Sequence, residues 1–109
     1  MPLTRSFKET VRRRAAADPE FRHALLQEAA QCLLGGEVAT GRAVLRDFIN
    51  ATIGFDALAE ATGLPAKSLM RMLGPRGNPH ARHLLAVLDS LQRLTRVELQ
   101  VHAVAQAAE

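Results

Sequence analysis

The stretch that most constrains the fold runs from residue 55 to 73, with the sequence FDALAEATGLPAKSLMRML. Apolar residues recur at helical spacing on both sides of Gly63, and Pro65 follows shortly after it. Glycine accepts the positive φ that a sharp corner between two helices requires, and proline suits a first helical turn, which does not need its missing N–H. The pattern predicts a helix-turn-helix, with helices over 55–62 and 65–73.

Small and apolar side chains within this stretch fit two helices that cross closely. The positions expected to face inward are Leu58, Leu64, Leu69, Met72 and Leu73. A plain corner between packed helices would also be apolar at most of these positions, but it would not need a small Ala59 beside Gly63. The combination therefore favours the DNA-binding form of the motif.

The outward face of the second helix carries the side chains that would meet DNA. Four residues are expected to point away from the core and to reach base edges in a major groove: Ala66, Lys67, Met70 and Arg71. Lysine and arginine can donate to guanine, and apolar groups can contact the thymine methyl. A solvated basic face is the alternative. Against it, residues 61–88 hold four lysines and arginines and no Asp or Glu.

The loop over residues 74–79, Gly-Pro-Arg-Gly-Asn-Pro, is the densest run of turn residues in the chain. It lacks the Gly-Lys-Ser/Thr ending of a phosphate-binding P-loop. Asn78 is expected to cap a further helix and Pro79 to begin it. The free N–H groups at such a helix start can hold a DNA phosphate. The side chains expected to bind phosphates are Ser68, Arg76, Asn78, His80 and Arg82.

No arrangement of residues indicates an enzyme, a metal or a cofactor. His80 and His83 are three residues apart on one predicted helix but lack a third ligand close by, so solvated or groove-edge histidines are the expectation. No Ser-His-Asp set or pair of carboxylates stands out. Four Phe without any Trp or Tyr also argue against a stacking surface for single-stranded nucleic acid.

The whole chain is consistent with one small domain. It has 109 residues, 48% of them hydrophobic, and a net charge of +3, a mild preference for polyanions. Its one cysteine, Cys32, is expected in the core and excludes an internal disulfide. No apolar run suggests a signal peptide or a membrane span, so we expect a cytoplasmic protein.

Helical periodicity extends over most of the chain. Asp18 is expected to cap a helix that Pro19 begins, and Gly41 predicts a close approach between two helices. The predicted helices outside the motif cover 4–17, 19–34, 37–53 and 79–94. Within a single domain, the parts expected are an N-terminal helical extension packed on the core (1–35), a helix-turn-helix core (36–95), and a C-terminal strand and tail (96–109). The fold class expected is mainly α, with five to six helices and one strand.

Residues 96–102, Arg-Val-Glu-Leu-Gln-Val-His, alternate strictly between polar and apolar. This alternation predicts a half-buried strand. One strand cannot complete its hydrogen bonds alone, so we expect it to pair with its copy in a homodimer through Val97, Leu99 and Val101. A two-fold dimer would also place two recognition helices on successive turns of DNA. The competing interpretation extends the last helix through Val104.

Several short motifs carry a resemblance to a known family. They are Leu-Arg-Asp (45–47), Leu-Ala-Glu-Ala-Thr-Gly-Leu (58–64), Ser-Leu (68–69), Arg-Met-Leu (71–73), Gly-Pro-Arg-Gly-Asn-Pro (74–79) and Leu-Leu-Ala-Val-Leu (84–88). Residues 55–91 resemble the lambda-repressor/Cro-like (XRE-type) helix-turn-helix family. More narrowly they resemble addiction-module antidote proteins, the HigA-like antitoxins, and residues 73–79 are the most specific part.

The resemblance implies a lambda-repressor-like fold and a cytoplasmic homodimer that represses its own operon. It also implies an operator on double-stranded DNA and a small RelE/ParE-like toxin as partner. The chain departs from the family at Pro65, Met70 and Gly74, where relatives often carry a capping Ser, a Tyr or polar residue, and a Ser. Two alternatives stay open: a prophage or operon regulator without a toxin, and a protein-interaction module whose helix-turn-helix no longer binds DNA.

Overall fold

The computed structural model describes residues 5–107, with side chains from Phe7 onward. The prediction of a mainly helical fold is confirmed, and Thr4, the predicted start of the first helix, lies outside the described residues. The helices are α1 Arg5–Ala17, α2 Pro19–Leu34, α3 Val38–Ala51, α4 Gly54–Thr62, α5 Ala66–Met72 and α6 Ala81–Thr95. No helix within 5–107 combines the length and the apolar character that crossing a membrane requires.

The start of α2 is capped as the sequence predicts. The Asp18 carboxylate accepts hydrogen bonds from the backbone N–H of Glu20 (3.0 Å) and Phe21 (3.3 Å), and Pro19 is the first helical residue. The side chain thereby satisfies two donors that have no partner within the helix. Arg22 strengthens the same corner by donating to the carbonyl of Ala15 at 2.9 Å.

Replacing Asp18 with alanine should lower the free energy of unfolding by about 1 kcal/mol, because two amides at the helix start lose their acceptor. Urea denaturation of the full chain measures this. Asp18→Asn is the matched control and should stay within a few tenths of a kcal/mol of the wild type, since asparagine caps equally well. Equal loss in both variants would mean that the charge of Asp18, and not its cap, stabilises α2.

One cluster of buried side chains forms the core, and every helix from α2 to α6 contributes to it. It contains Leu26, Ala29, Leu45, Phe48, Ile49, Phe55, Leu58, Leu69, Leu73, Val87 and Leu91. Among the described helices, α2 and α3 pack against each other most extensively. At Gly41 an added Cβ would lie 2.8 Å from the Leu33 side chain, which confirms the predicted close approach. The helix pair α4–α5 therefore shares one core with α2, α3 and α6.

Cys32 lies in this interior at 7% exposure, as predicted. Burial raises the pKa of the Cys32 thiol, and the Glu28 carboxylate, 3.6 Å from its Sγ, raises that pKa further. Both effects disfavour the thiolate, which is the reactive form. Cys32 is therefore a packing residue.

The corner between α4 and α5 has the predicted geometry. Gly63 has φ +76°, and its N–H donates to the Ala59 carbonyl at 2.9 Å. Leu64 is half-buried and packs against the core. α5 begins one residue later than expected, because Pro65 precedes the helix as its N-terminal cap residue. The two helices and their left-handed glycine are confirmed, whereas DNA binding by this pair stays a prediction.

Replacing Gly63 with alanine should lower the free energy of unfolding by roughly 1–2 kcal/mol, the cost of a left-handed conformation for a residue with a Cβ. Apart from Gly63 and the two residues that adjoin it, no described atom lies within 4 Å of the position of that Cβ, so the cost is conformational and not steric. Gly63→Asn is the control, because asparagine tolerates this conformation better. Thermal and urea denaturation measure both variants. If asparagine is no better than alanine, the explanation by φ is wrong.

The prediction of a strand over residues 96–102 is wrong. Within residues 96–107 the structure has neither the predicted strand nor an extension of α6. α6 ends at Thr95, where Arg96 adopts a left-handed φ of 56°. The Val97 N–H turns back to the Gln92 carbonyl at 3.0 Å, and the chain then continues without regular structure.

The polar–apolar alternation of this segment reflects packing on one side. Val97 and Leu99 pack against the core of their own chain, whereas Glu98 and Gln100 are exposed. The Leu99 N–H donates to the Gln92 side-chain oxygen at 2.8 Å. A strand needs a neighbouring strand for its remaining backbone groups, and the described residues of this chain supply none.

Candidate nucleic-acid interface

The outward face of α5 presents three of the four residues predicted to read bases. Lys67, Met70 and Arg71 are exposed. Ala66 does not point away from the core as expected: it is half-buried and packs against the core cluster. The first residue of α5 is drawn inward because it directly follows the corner that Leu64 fills. The face available to a ligand is therefore cationic, with one exposed thioether.

A cleft of about 230 Å³ lies between α5, the loop after it and the segment that leads into α6. Four of the five predicted phosphate-binding residues line it, together with one predicted base-reading residue: Ser68, Arg71, Arg76, Asn78 and His80. Arg82 is exposed on the first turn of α6 and does not line the cleft. The fold thus brings together, at one edge of α5, side chains spread over thirteen residues of sequence.

The helix that borders the cleft begins two residues later than predicted. α6 starts at Ala81, and its cap residue is His80, with φ −68° and ψ 148°, and not Asn78. Pro79 is half-buried in the cleft wall, so the loop continues through it. No side chain caps this start, and the amides of Ala81 and Arg82 have no acceptor in the described chain.

This helix start and the cleft share an electrostatic character. Free amides at a helix N-terminus and the positive end of the helix dipole favour an anion. The surrounding region from 61 to 88 has no carboxylate side chain to oppose one. Arginine guanidinium groups and free amides are the donors that phosphate oxygens accept from. The arrangement can therefore hold a phosphate group, and the exposed face of α5 lies beside it.

The loop that forms the cleft floor is held by backbone contacts that the sequence did not reveal. Residues 74–77 form a turn in which the Gly77 N–H donates to the Gly74 carbonyl at 3.0 Å. Arg42 of α3 is buried at 8% exposure and donates to the carbonyls of both glycines. A signal was available: Arg42 lies three and seven residues before Leu45 and Ile49, on the inward stripe of its helix.

The two histidines do not form a metal site with other side chains. The rings of His80 and His83 are 5.8 Å apart between centroids and nearly perpendicular. Among residues 5–107, no three side chains of His, Cys, Asp or Glu converge on a common point. His80 borders the cleft instead, where its ring can meet an anion or a base edge.

The residues predicted to form the dimer contact differ in how far they are exposed. Val97 and Leu99 are half-buried against their own core, whereas Val101 is 78% exposed. Val101 lines a groove of about 420 Å³ between α2 and α6, where Leu34 and Leu85 are 71% and 65% exposed. Of the three predicted residues, only Val101 is left mostly free to meet another molecule.

Comparison of the chain with known protein families, with curated proteins and with solved structures finds no match.

Proposed function

We propose that this chain is a sequence-specific DNA-binding repressor that acts in the cytoplasm as a homodimer. The observation that carries the proposal is the cleft beside α5. Arg71, Arg76 and His80 line it, the unoccupied amides at the start of α6 lie beside it, and no acidic residue occurs from 61 to 88. Positive charge of this density without compensation serves poorly as a packing surface and well as a phosphate site.

In this proposal the two parts of the surface have different roles. Lys67 and Arg71, exposed on α5, donate to base edges in the major groove, and Met70 contacts thymine methyl groups. Ser68, Arg76, Asn78 and His80 in the cleft hold backbone phosphates, and Arg82 adds a phosphate contact beside them. Base contacts supply the specificity, whereas the phosphate contacts fix the pose of α5 on the duplex.

Homodimerisation is part of the proposal, because two recognition helices on successive DNA turns require a two-fold axis. The groove that Leu34, Leu85 and Val101 share supports a contact between two copies at this end of the molecule. Sedimentation equilibrium should give a dimer whose dissociation constant rises in Val101→Asp.

The narrower proposal is that the protein is the antitoxin of a toxin–antitoxin operon and also binds a small RelE/ParE-like toxin. It rests on the resemblance of residues 73–79 and the motifs around them. The alternative is a prophage or operon regulator without a toxin partner. A gene for a small basic protein beside this one, whose product arrests growth unless the present chain is co-expressed, supports the antitoxin. Its absence supports the alternative.

The experiment that tests the repressor proposal is a reporter placed behind the DNA upstream of the gene. Supplying the chain from a second plasmid should reduce transcription from this DNA and leave an unrelated promoter unchanged. A buried Leu69→Asp variant, which removes the folded core beneath α5, is the negative control. Equal transcription with the wild type and with this control would refute repression at that site.

A further inference from the structure

Arg42 is a buried cation without a carboxylate partner in the described chain. It is 8% exposed on α3, and its Nη1 donates to the carbonyls of Gly74, at 2.9 Å, and Gly77. Its Nε is buried and has no acceptor. The arginine side chain stays charged in proteins, and burying a charge without a counter-ion has a high desolvation cost. A packing role alone would be filled better by an apolar side chain of similar length.

Arg46, one helical turn further along α3, makes a contact of the same kind. Its Nη1 donates to the carbonyl of Leu73, the C-terminal cap residue of α5, at 2.9 Å. Carbonyls at the end of a helix lack partners within the helix and carry partial negative charge. We name Arg42 and Arg46 the arginine clamp. Together they bind the carbonyls of Leu73, Gly74 and Gly77.

The segment that the clamp holds has few other anchors. Leu73 is fully buried, but Pro75 and Arg76 are exposed. The only other described hydrogen bonds of residues 74–77 run from the Gly74 N–H to the Arg71 carbonyl and from the Gly77 N–H to the Gly74 carbonyl. The shape of this turn therefore depends on the two guanidinium groups. Arg76 and Gly77 in turn form part of the phosphate cleft.

We infer that the arginine clamp positions the DNA-binding surface: it holds the 73–77 turn, and with it Arg76 and the end of α5, in the pose that meets DNA. This rests on the proposed function. The clamp residues do not line the cleft themselves, so they act through the turn and not on a phosphate. A turn that is ordered before binding spares the complex the entropy cost of ordering it.

Arg42→Met tests the clamp, because methionine fills much of the same space without donors or charge. Removing the buried charge favours stability, whereas removing its hydrogen bonds to the two carbonyls opposes it, so the melting temperature should change by only a few degrees. The turn should loosen. Hydrogen exchange of the Gly77 amide, followed by NMR without DNA, should accelerate until it approaches the rate of an unprotected amide, because we expect the ordered turn to fall to about a tenth of the population.

The same loosening should weaken binding to a duplex of the upstream DNA about tenfold, because only the ordered fraction is competent to bind. The slope of log affinity against log salt should stay as in the wild type, since Arg42 touches no phosphate. Arg76→Ala is the matched control: losing a direct phosphate contact should reduce the magnitude of that slope by about 0.9. Arg42→Lys, which keeps the charge and a donor, should restore part of the affinity.

Different results would overturn the arginine clamp and the proposed function. An unchanged exchange rate at Gly77 in Arg42→Met overturns the clamp, whatever the DNA affinity does. Faster exchange with unchanged DNA affinity overturns its positioning role. If the wild type binds the upstream DNA no better than an unrelated duplex, the proposed function has failed, and the exchange rate alone shows whether the clamp orders the turn. If Arg42→Met does not fold, Arg46→Met is measured in its place at the Gly74 amide, which belongs to the same peptide group as the Leu73 carbonyl that Arg46 binds, and the same results support or overturn the clamp.

Discussion

Among the glycine-to-alanine variants of the described chain, we expect Gly77→Ala to lower the free energy of unfolding the most. A Cβ at this position would lie 2.5 Å from the Arg71 carbonyl oxygen, 2.7 Å from the Met72 carbonyl carbon, and closer still to the Met72 carbonyl oxygen. All three atoms belong to the backbone of α5, so no side chain can move aside. We expect the free energy of unfolding to fall by roughly 1–3 kcal/mol, the usual cost of overpacking.

In Gly77→Ala the turn can relieve the clash by moving away from α5, which opens the cleft. The affinity for DNA should therefore fall strongly even where the protein stays folded. Affinity for the upstream DNA should approach that for unrelated DNA. Gly74→Ala is the matched control in the same turn. Its Cβ would lie 3.2 Å from the Met70 carbonyl oxygen, a contact that a shift of a few tenths of an ångström relieves. If both alanine variants bind and unfold alike, the close contact at Gly77 does not shape the cleft.

The second large effect is expected at the exposed face of α5. Lys67→Ala and Arg71→Ala should each weaken binding to the specific site by about 10- to 100-fold, the usual value of one good contact to a base. Binding to unrelated DNA should change far less, so that the ratio of the two affinities falls. Fluorescence anisotropy with both duplexes measures the ratio at a fixed salt concentration.

The control for this pair is Arg93→Ala. It also removes one positive charge, but from the exposed ion pair with Asp89 at the other end of α6, where the two side chains approach to 3.0 Å. Such a pair contributes little to stability. Arg93→Ala should therefore leave the affinity ratio unchanged. Unchanged ratios in both Lys67→Ala and Arg71→Ala would mean that α5 does not read the bases.

The parts of the fold that could be predicted are those decided by neighbouring residues. Asp18 and Pro19 fix a helix start through local hydrogen bonds and a restricted φ. Gly63 fixes a corner, because few other residues adopt its φ of +76°. The basic face of α5 was also readable, since helical spacing separates Lys67 and Arg71 from buried Leu69.

The parts that could not be predicted depend on residues far apart in sequence. Arg42 contacts carbonyls thirty-two and thirty-five residues away, and no local pattern indicates a backbone carbonyl as a partner. The alternation over 96–102 predicted a half-buried segment, but it assigned Val97 and Leu99 to a dimer contact, whereas both pack on the core of their own chain. It could not distinguish packing on the core from pairing in a sheet, because both bury every second side chain. Ala66 was misplaced because the corner draws the first turn of α5 inward.

The measurement that tests the central claim most directly is a titration of the purified chain against the DNA upstream of its own gene. Unrelated DNA is the control, and the salt concentration is varied. We expect tight binding with a footprint of two half-sites one helical turn apart, and an affinity that falls steeply with salt. Weak binding, equal on both DNAs, would contradict the claim, and the cleft beside α5 would then be a basic surface without a specific DNA site.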